Sequence, residues 1–181
     1  MEDISLHILD IAENSASAGA GTIIIRINED READTFTLEI EDDGRGMDPA
    51  TAARAADPFF SGKGKKFGLG IPLLEQAAQE TGGGILIDSR PGEGTRLKSS
   101  FRPSHIDMKP LGDIGRTMMA LVMGHPDVRF VLEYTSGIYS FVFDTVKLKE
   151  EDSHEGKPFN SPGRPSAIKA MVNDGMKRRQ M

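Results

Sequence analysis

The chain has 181 residues, close to the usual size of one globular domain, so we expect one domain with a short appendage. It contains no cysteine, which excludes disulfides, thiolate catalysis and cysteine-ligated zinc or iron–sulfur sites. A formal net charge of −6 does not favour nucleic acid or an anionic membrane as a partner. We find neither a signal-peptide pattern nor an apolar run of about 18 residues, which predicts a cytoplasmic protein.

The first predicted element is an amphipathic helix in the stretch of residues 6–21, and the sequence GAGT at residues 19–22 ends it. Apolar residues form one face, and a second stripe contains Asp3, His7, Asp10, Asn14 and Ser17. Because residues four apart share a helix face, Asp10 and Asn14 could reach one ligand. An amide oxygen suits a hard cation such as Mg²⁺, and a carboxylate can orient or deprotonate a water molecule. A solvated polar face is the alternative interpretation.

Two strands are predicted next, at residues 22–27 and 35–44, and they form a hairpin around a polar turn. The second strand ends in DDGRG, where glycines permit positive φ and close approach of the backbone. Asp42 at the strand end could accept a hydrogen bond from an exocyclic amine such as that of adenine. An ordinary turn is the alternative, since turns favour these residue types.

A glycine- and lysine-rich segment, residues 57–70, follows a short helix that begins at Pro49 with Asp48 as its cap. The segment is predicted to be a loop, and a helix follows at residues 71–81. Lysines and a G-x-G at the start of this helix could hold a phosphate. The order of residues matches neither a Walker loop nor a Rossmann fingerprint, and a flexible basic surface loop is the alternative.

Strands are predicted at residues 85–89 and 95–101, so the order of elements predicts an α+β fold with helices on one face of a mixed, mostly antiparallel sheet. Later residues predict a helix at 113–123, a strand hairpin at 128–144, a polar linker at 150–165 and then a basic helix or frayed tail. The hairpin either extends the main sheet or belongs to a separate α+β subdomain that docks a partner.

Three stretches, DIAENSASAGA, DDGRGM and FGLG, resemble in order and spacing the GHKL superfamily of ATPases, which includes gyrase-type topoisomerases, heat-shock chaperones, histidine kinases and MutL-type mismatch-repair proteins. They are similar to the asparagine box in its mismatch-repair form and to the first and second glycine boxes. DPFFSGK resembles the lid of histidine kinases, and residues 82–101 are similar to the closing hairpin of their ATP-binding domain. The resemblance covers residues 1–102 and implies the Bergerat fold, a two-layer α/β sandwich that binds ATP and Mg²⁺.

The resemblance also implies roles for individual residues. Asn14 would coordinate Mg²⁺ on the triphosphate, Asp42 would hold the adenine amine, and Lys63 would lie near the outer phosphates. Asp10 stands where hydrolysing and protein-serine-phosphorylating members have a catalytic glutamate. Further nucleotide contacts are implied for Gly44, Gly46, Met47, Gly68, Leu69, Gly70 and Thr95.

The sequence departs from the family pattern at two positions. Asp10 is one methylene shorter than glutamate, so we expect a shorter reach to a water or hydroxyl group and slow hydrolysis. Asp43 occupies a position where asparagine commonly follows the adenine-binding aspartate.

None of the four histidines has the context of a histidine kinase phosphoacceptor, which lies on a dimerising helical hairpin before the ATP-binding domain. His7 is interpreted as a packing or polar-face residue, with phosphate contact as the alternative, and His105, His125 and His154 as surface residues.

Three functions remain open. The chain could be a stand-alone regulator that phosphorylates a separate protein or completes a split kinase, a slow ATPase whose lid closure gates a partner, or a sensor of adenine nucleotide without turnover. An unidentified protein partner is therefore expected, and a homodimer is a further option. The corresponding division of the chain is an ATP-binding part at 1–102, an extension at 103–148, and a linker with a basic helix or tail at 149–181.

Overall fold

The structure is a computed structural model that describes residues 3–57, 69–154 and 161–177. Its helices and strands in chain order are α1 Ile4–Ser17, β1 Thr22–Asp30, β2 Thr35–Asp42, α2 Pro49–Arg54, α3 Gly70–Glu80, β3 Gly84–Arg90, β4 Gly94–Phe101, α4 Ile114–Gly124, β5 Arg129–Ser136, β6 Tyr139–Asp144, α5 Thr145–His154 and α6 Arg164–Lys177.

One six-stranded sheet with the order β3-β4-β2-β1-β5-β6 forms the centre of the fold. β1 pairs parallel with β5, and the other neighbouring strands are antiparallel. The predicted α+β class with a mixed, mostly antiparallel sheet is confirmed. In β1 and β2 alternate residues are buried, because side chains along a strand point to opposite faces and one face packs against helices. These residues include Ile23, Ile25, Ile27, Phe36, Leu38 and Ile40.

The first helix packs on this apolar face through Ile4, Ile8 and Ile11, which are buried. Asp3 caps its N-terminus by accepting a hydrogen bond from the backbone N–H of Leu6. The first N–H groups of the helix donate to the carbonyls of residues 110 and 111 over 2.9 Å, which satisfies groups that have no partner within a helix. Backbone hydrogen bonds from α1 to the segment before α4 therefore fix the start of α1.

The opposite face of the sheet carries a network of charged side chains around Arg26. Its guanidinium donates to Glu39 over 2.7 Å, to Glu41 over 2.6 Å and to Glu133 over 2.9 Å. Arg96 donates to the second oxygen of Glu39 over 2.9 Å. Burial alone would raise the pKa of Glu39, but the hydrogen bonds from Arg96 and Arg26 hold it below its usual value. These contacts join strands β1, β2, β4 and β5.

The hairpin β5–β6 pairs with β1 and extends the main sheet, so the first of the two alternatives for this segment is observed. The aromatic residues Tyr139 and Phe141 are covered in part by α6, since a Cβ on Gly175 would lie 2.2 Å from the Phe141 ring. The Tyr139 hydroxyl donates to the carbonyl of Gly175. The division of the chain into an ATP-binding part at 1–102 and an extension at 103–148 stays a prediction.

One prediction for the last 40 residues is wrong in part, the linker, and of the two alternatives for the C-terminal segment the helix is observed. Part of the predicted linker is helix α5, which carries the buried Leu148 in an otherwise polar sequence with little amphipathic pattern. The segment predicted as a weak helix or frayed tail is α6, which docks on α4 through the buried Ile168 and Val172. Docking of the helix had no strong sequence signal because only one narrow side of α6 is apolar.

Among the residues that the structure describes, no helix is both long enough and apolar enough to cross a membrane.

Candidate nucleotide-binding site

A cavity of about 380 Å³ opens between α1, the ends of β2 and β4 and the start of α3, within the size range of small-molecule sites. Asn14, Asp42 and Thr95 contribute polar groups to its lining. Ile11, Ile40, Ile71 and Leu97 are among its apolar lining residues. The structure therefore brings together residues from the first helix, the first glycine turn and the closing hairpin.

Asp42 is held at the cavity by two hydrogen bonds. The Ser15 hydroxyl donates to Oδ2 over 2.6 Å, and the backbone N–H of Gly44 donates to Oδ1 over 2.9 Å. Each carboxylate oxygen can accept more than one hydrogen bond, so the pair leaves acceptor capacity for a ligand donor. Sequence analysis missed Ser15, although its place beside Asn14 on the apolar side of the helix was a signal.

The turn after β2 packs tightly on the turn between β3 and β4. Gly46 has φ +64°, and a Cβ there would lie 1.9 Å from the Arg90 carbonyl oxygen. Gly94 has φ +91°, and a Cβ there would lie 1.9 Å from the Asp42 carbonyl oxygen. Both positions require glycine for conformation and for space. Gly94 was not among the predicted site residues, because the spacing of the boxes does not reveal contact between two turns.

A hydroxyl network joins the same two turns. The Met47 N–H donates to Ser89 Oγ over 2.8 Å, Ser89 Oγ donates to the Gly94 carbonyl over 3.0 Å, and Ser89 Oγ lies 2.8 Å from Thr95 Oγ1. A serine hydroxyl has one proton, so Thr95 is the donor to Ser89 when all three bonds form. Thr95 then offers only acceptor lone pairs to the cavity.

The second departure from the family pattern has a clear structural role. Asp43 Oδ1 accepts hydrogen bonds from the backbone N–H groups of Gly21, over 2.7 Å, and Thr22, over 2.8 Å. An asparagine side-chain oxygen could accept the same pair of bonds. The acid at this position therefore preserves the contact that anchors the start of β1.

Asp10 lies against the start of α3 and is not among the cavity-lining residues in the part of the chain that is described. A Cβ on Gly70 would lie 2.0 Å from Asp10 Oδ2, so the carboxylate packs on the bare Cα of this glycine. Leu69 is the N-cap of α3 and is 59% exposed. The predicted contacts Lys63 and Gly68 lie outside the described residues.

His7, which sequence analysis placed on the same polar stripe of α1 as Asp10 and Asn14, is buried. It is 1% exposed, and neither ring nitrogen has a hydrogen-bond partner among residues 3–57, 69–154 and 161–177. Burial lowers the pKa of His7 from 6.5 to about 4, so the imidazole is neutral at pH 7. Packing is the correct interpretation, and His7 is not among the residues that line the cavity.

Comparison with known proteins gives a family and a fold. A family model described as "Histidine kinase-, DNA gyrase B-, and HSP90-like ATPase" matches residues 2–105. The sensor protein kinase FleS of Pseudomonas aeruginosa is 36% identical over 88 residues, which are 49% of this chain and 22% of that protein. The sensor kinase CckA of Brucella abortus is 38% identical over 84 residues, which are 45% of this chain and 9% of that protein.

The chain thus spans less than a quarter of the length of these curated relatives. Among solved structures, the crystal structure of the N-terminal domain of a DNA repair protein superposes with a TM-score of 0.55 at 12% identity. That match covers 78% of this chain and 52% of the other, and it is a likeness of fold.

Proposed function

The chain belongs to the family of histidine kinase-, DNA gyrase B- and HSP90-like ATPases, and from this premise we propose that its cavity binds ATP with Mg²⁺ and that the protein acts on a separate partner protein. The observation that carries the proposal is the shared lining of one cavity by Asn14, Asp42 and Thr95. Their side chains supply a metal-binding oxygen, an acceptor for an amine and a hydroxyl, which together suit an adenine nucleotide.

Asp42 is the proposed contact for the adenine amine. Its two oxygens are already held by Ser15 and by the Gly44 N–H, so the carboxylate keeps one orientation toward the cavity. A carboxylate accepts a hydrogen bond from the adenine amine and repels the carbonyl oxygen of guanine or hypoxanthine. The apolar lining contributed by Ile40 and Leu97 suits the flat base.

Asn14 is the proposed protein ligand for Mg²⁺. Mg²⁺ commonly takes few protein oxygens and completes its octahedron with substrate phosphates and water, so one amide oxygen in the cavity fits the ion when a nucleotide carries it. In the described part of the chain, no cluster of three acidic, cysteine or histidine side chains could hold a metal by itself. The ion would neutralise phosphate charge, while Lys63, Gly68, Leu69 and Gly70 remain proposed contacts on the phosphate side.

None of the four histidines is among the described residues that line the cavity, which favours a phosphoryl acceptor other than these histidines. His7 is buried, His125 Nε2 lies 2.7 Å from Glu13 Oε2, and His154 Nδ1 lies 2.7 Å from the Glu150 carbonyl oxygen. His105 is fixed by a hydrogen bond from the Asp107 N–H. In a transfer, a hydroxyl or imidazole of the partner would bond to the γ-phosphorus as its bond to the bridging oxygen of ADP breaks. A second copy of this chain is one candidate partner.

A nucleotide sensor is the second candidate function. It is favoured by the position of Asp10, whose carboxylate packs on Gly70 outside the described cavity lining. The role of Asp10 as a base stays a prediction. Replacing Asp10 by Asn should abolish turnover and retain nucleotide binding if that role is correct.

The proposed binding is tested by calorimetric titration of ATP and ADP with and without Mg²⁺. Asn14→Ala should weaken binding of the Mg²⁺ complex by about tenfold or more and change metal-free binding much less. Asn28→Ala, at an exposed position of β1, is the matched control. Absence of binding at millimolar nucleotide, or equal effects of the two variants, would contradict the proposal.

Turnover is tested separately. Labelled ATP with candidate partners reveals transfer, and phosphate release by the protein alone reveals hydrolysis. Binding without either reaction would favour the sensor.

A further inference from the structure

The contact between Asp10 and Gly70 joins α1 to the start of α3. A Cβ on residue 70 would lie 2.0 Å from Asp10 Oδ2, 2.9 Å from Cγ and 3.3 Å from the Asp10 Cβ. Gly70 is buried, and its φ lies outside the left-handed region that favours glycine. An added Cβ at this position would therefore overlap the Asp10 side chain and require that side chain to move, with no conflict from backbone conformation.

The contact also defines the surroundings of the Asp10 side chain. Within the described ranges, this carboxylate has no hydrogen bond or ion pair, and Gly70 is the neighbour against which it packs. The next residue of α3, Ile71, lines the cavity. A change in the size of residue 10 or residue 70 would move the start of α3 and, with it, one wall of the cavity.

We propose that Asp10 is a positioning residue whose size is matched to Gly70, and that the pair sets where the Leu69–Gly70 backbone meets the nucleotide cavity. The aspartate, one methylene shorter than the glutamate implied by the family resemblance, is then a steric fit to the α1–α3 spacing. A glutamate would bring one more methylene to the place where the Asp10 carboxylate now lies against Gly70. The effect on nucleotide binding rests on the proposed function, whereas the contact itself does not.

A double-mutant cycle of Gly70→Ala and Asp10→Ala tests the pair, with Mg²⁺–ADP affinity and the thermal unfolding midpoint as readouts. Gly70→Ala should weaken ADP binding about tenfold and lower the midpoint by a few degrees when Asp10 is present. In the Asp10→Ala background the same change should alter affinity less than about twofold, because the space is then free. Gly84→Ala, which introduces a Cβ with no atom within 4 Å at ordinary φ, is the control.

Two further variants separate size from charge. Asp10→Asn, which has the shape of aspartate, should keep ADP affinity within about twofold, and Asp10→Glu should weaken it about tenfold. Additive effects of the two alanine changes, or an Asp10→Glu protein with unchanged affinity and midpoint, would overturn the proposal. If the wild-type protein binds no nucleotide, the proposed function fails, and the thermal cycle still decides whether the two residues are coupled.

Discussion

The cavity side of the molecule and the C-terminal side are built by different kinds of contact. Around the cavity, glycines let the backbones of two turns come into contact. Hydrogen bonds of 2.6–3.0 Å, made by hydroxyl, carboxylate and backbone groups, hold the side chains in place. On the C-terminal side, α4, α6 and the β5–β6 hairpin pack mainly through apolar side chains, with polar contacts that include a cluster around Asp113. The first kind of contact depends on particular residue types, and the second depends mainly on buried volume. Substitutions should therefore affect ligand binding on one side and global stability on the other.

The largest effect is expected at Gly94, where the two turns meet. Gly94→Ala would force φ +91° on an alanine and place its Cβ 1.9 Å from the Asp42 carbonyl oxygen, costing about 4 kcal/mol or more and abolishing ADP binding. Gly82→Ala carries a similar φ of +79° with no atom within 4 Å, so strain alone should cost about 1 kcal/mol. Urea unfolding of both variants measures the difference in their free energies of unfolding. Equal losses of stability would show that the contact between the turns is unimportant.

On the C-terminal side, Ile168→Ala should cost about 3 kcal/mol because the side chain is fully buried under α4. Nucleotide affinity at a temperature where the protein stays folded should not change. Met171→Ala, on the same helix and 41% exposed, should cost less than about 0.5 kcal/mol. Equal, negligible effects of both changes would mean that α6 is a frayed tail after all.

Acid should act first on the α1 side, through His7. Its pKa is about 4 in the folded chain and near 6.5 when unfolded, so the unfolded state binds more protons between these values. The stability contribution is complete above pH 6.5 and falls as the pH drops toward 4, by up to about 3 kcal/mol. His7→Leu should remove this dependence in unfolding experiments between pH 7 and pH 4, and a wild-type profile that is flat in this range would refute the assignment.

The C-terminal side should respond only to stronger acid. Lys169, together with Asn173 and the Arg116 N–H, lowers the pKa of Asp113 to about 2. A depressed carboxyl pKa contributes stability above the unfolded value of 3.8, and that contribution is lost as the pH falls toward 2. Asp113→Asn should therefore reduce stability at pH 7 and make little difference near pH 2. Unfolding experiments from pH 7 to pH 2 measure this loss of stability, and a loss that does not change with pH would contradict the assignment of a charged Asp113.

The smallest change is expected from Ser15, which holds one oxygen of Asp42. Ser15→Ala should reduce the preference for ATP over inosine triphosphate by about tenfold, because the carboxylate loses the donor that orients it. Ser17→Ala, which alters a second serine of the cavity lining, serves as the comparison. Competition titration with the two nucleotides provides the measurement, and an unchanged preference in the Ser15 variant would exclude this orienting role.

The sequence determined the order of elements through Phe101, the mixed sheet, and the shared site of Asn14 and Asp42, because helical and strand periodicities and short polar motifs are local patterns. Only the tertiary structure decided that His7 is buried, that Gly94 closes on Asp42, that Ser15 orients the carboxylate and that α6 is a docked helix. These features depend on contacts between residues that are distant in the chain or on the exact direction of a helix face. Local spacing carries no information about which of two adjacent faces is covered or how closely two turns approach.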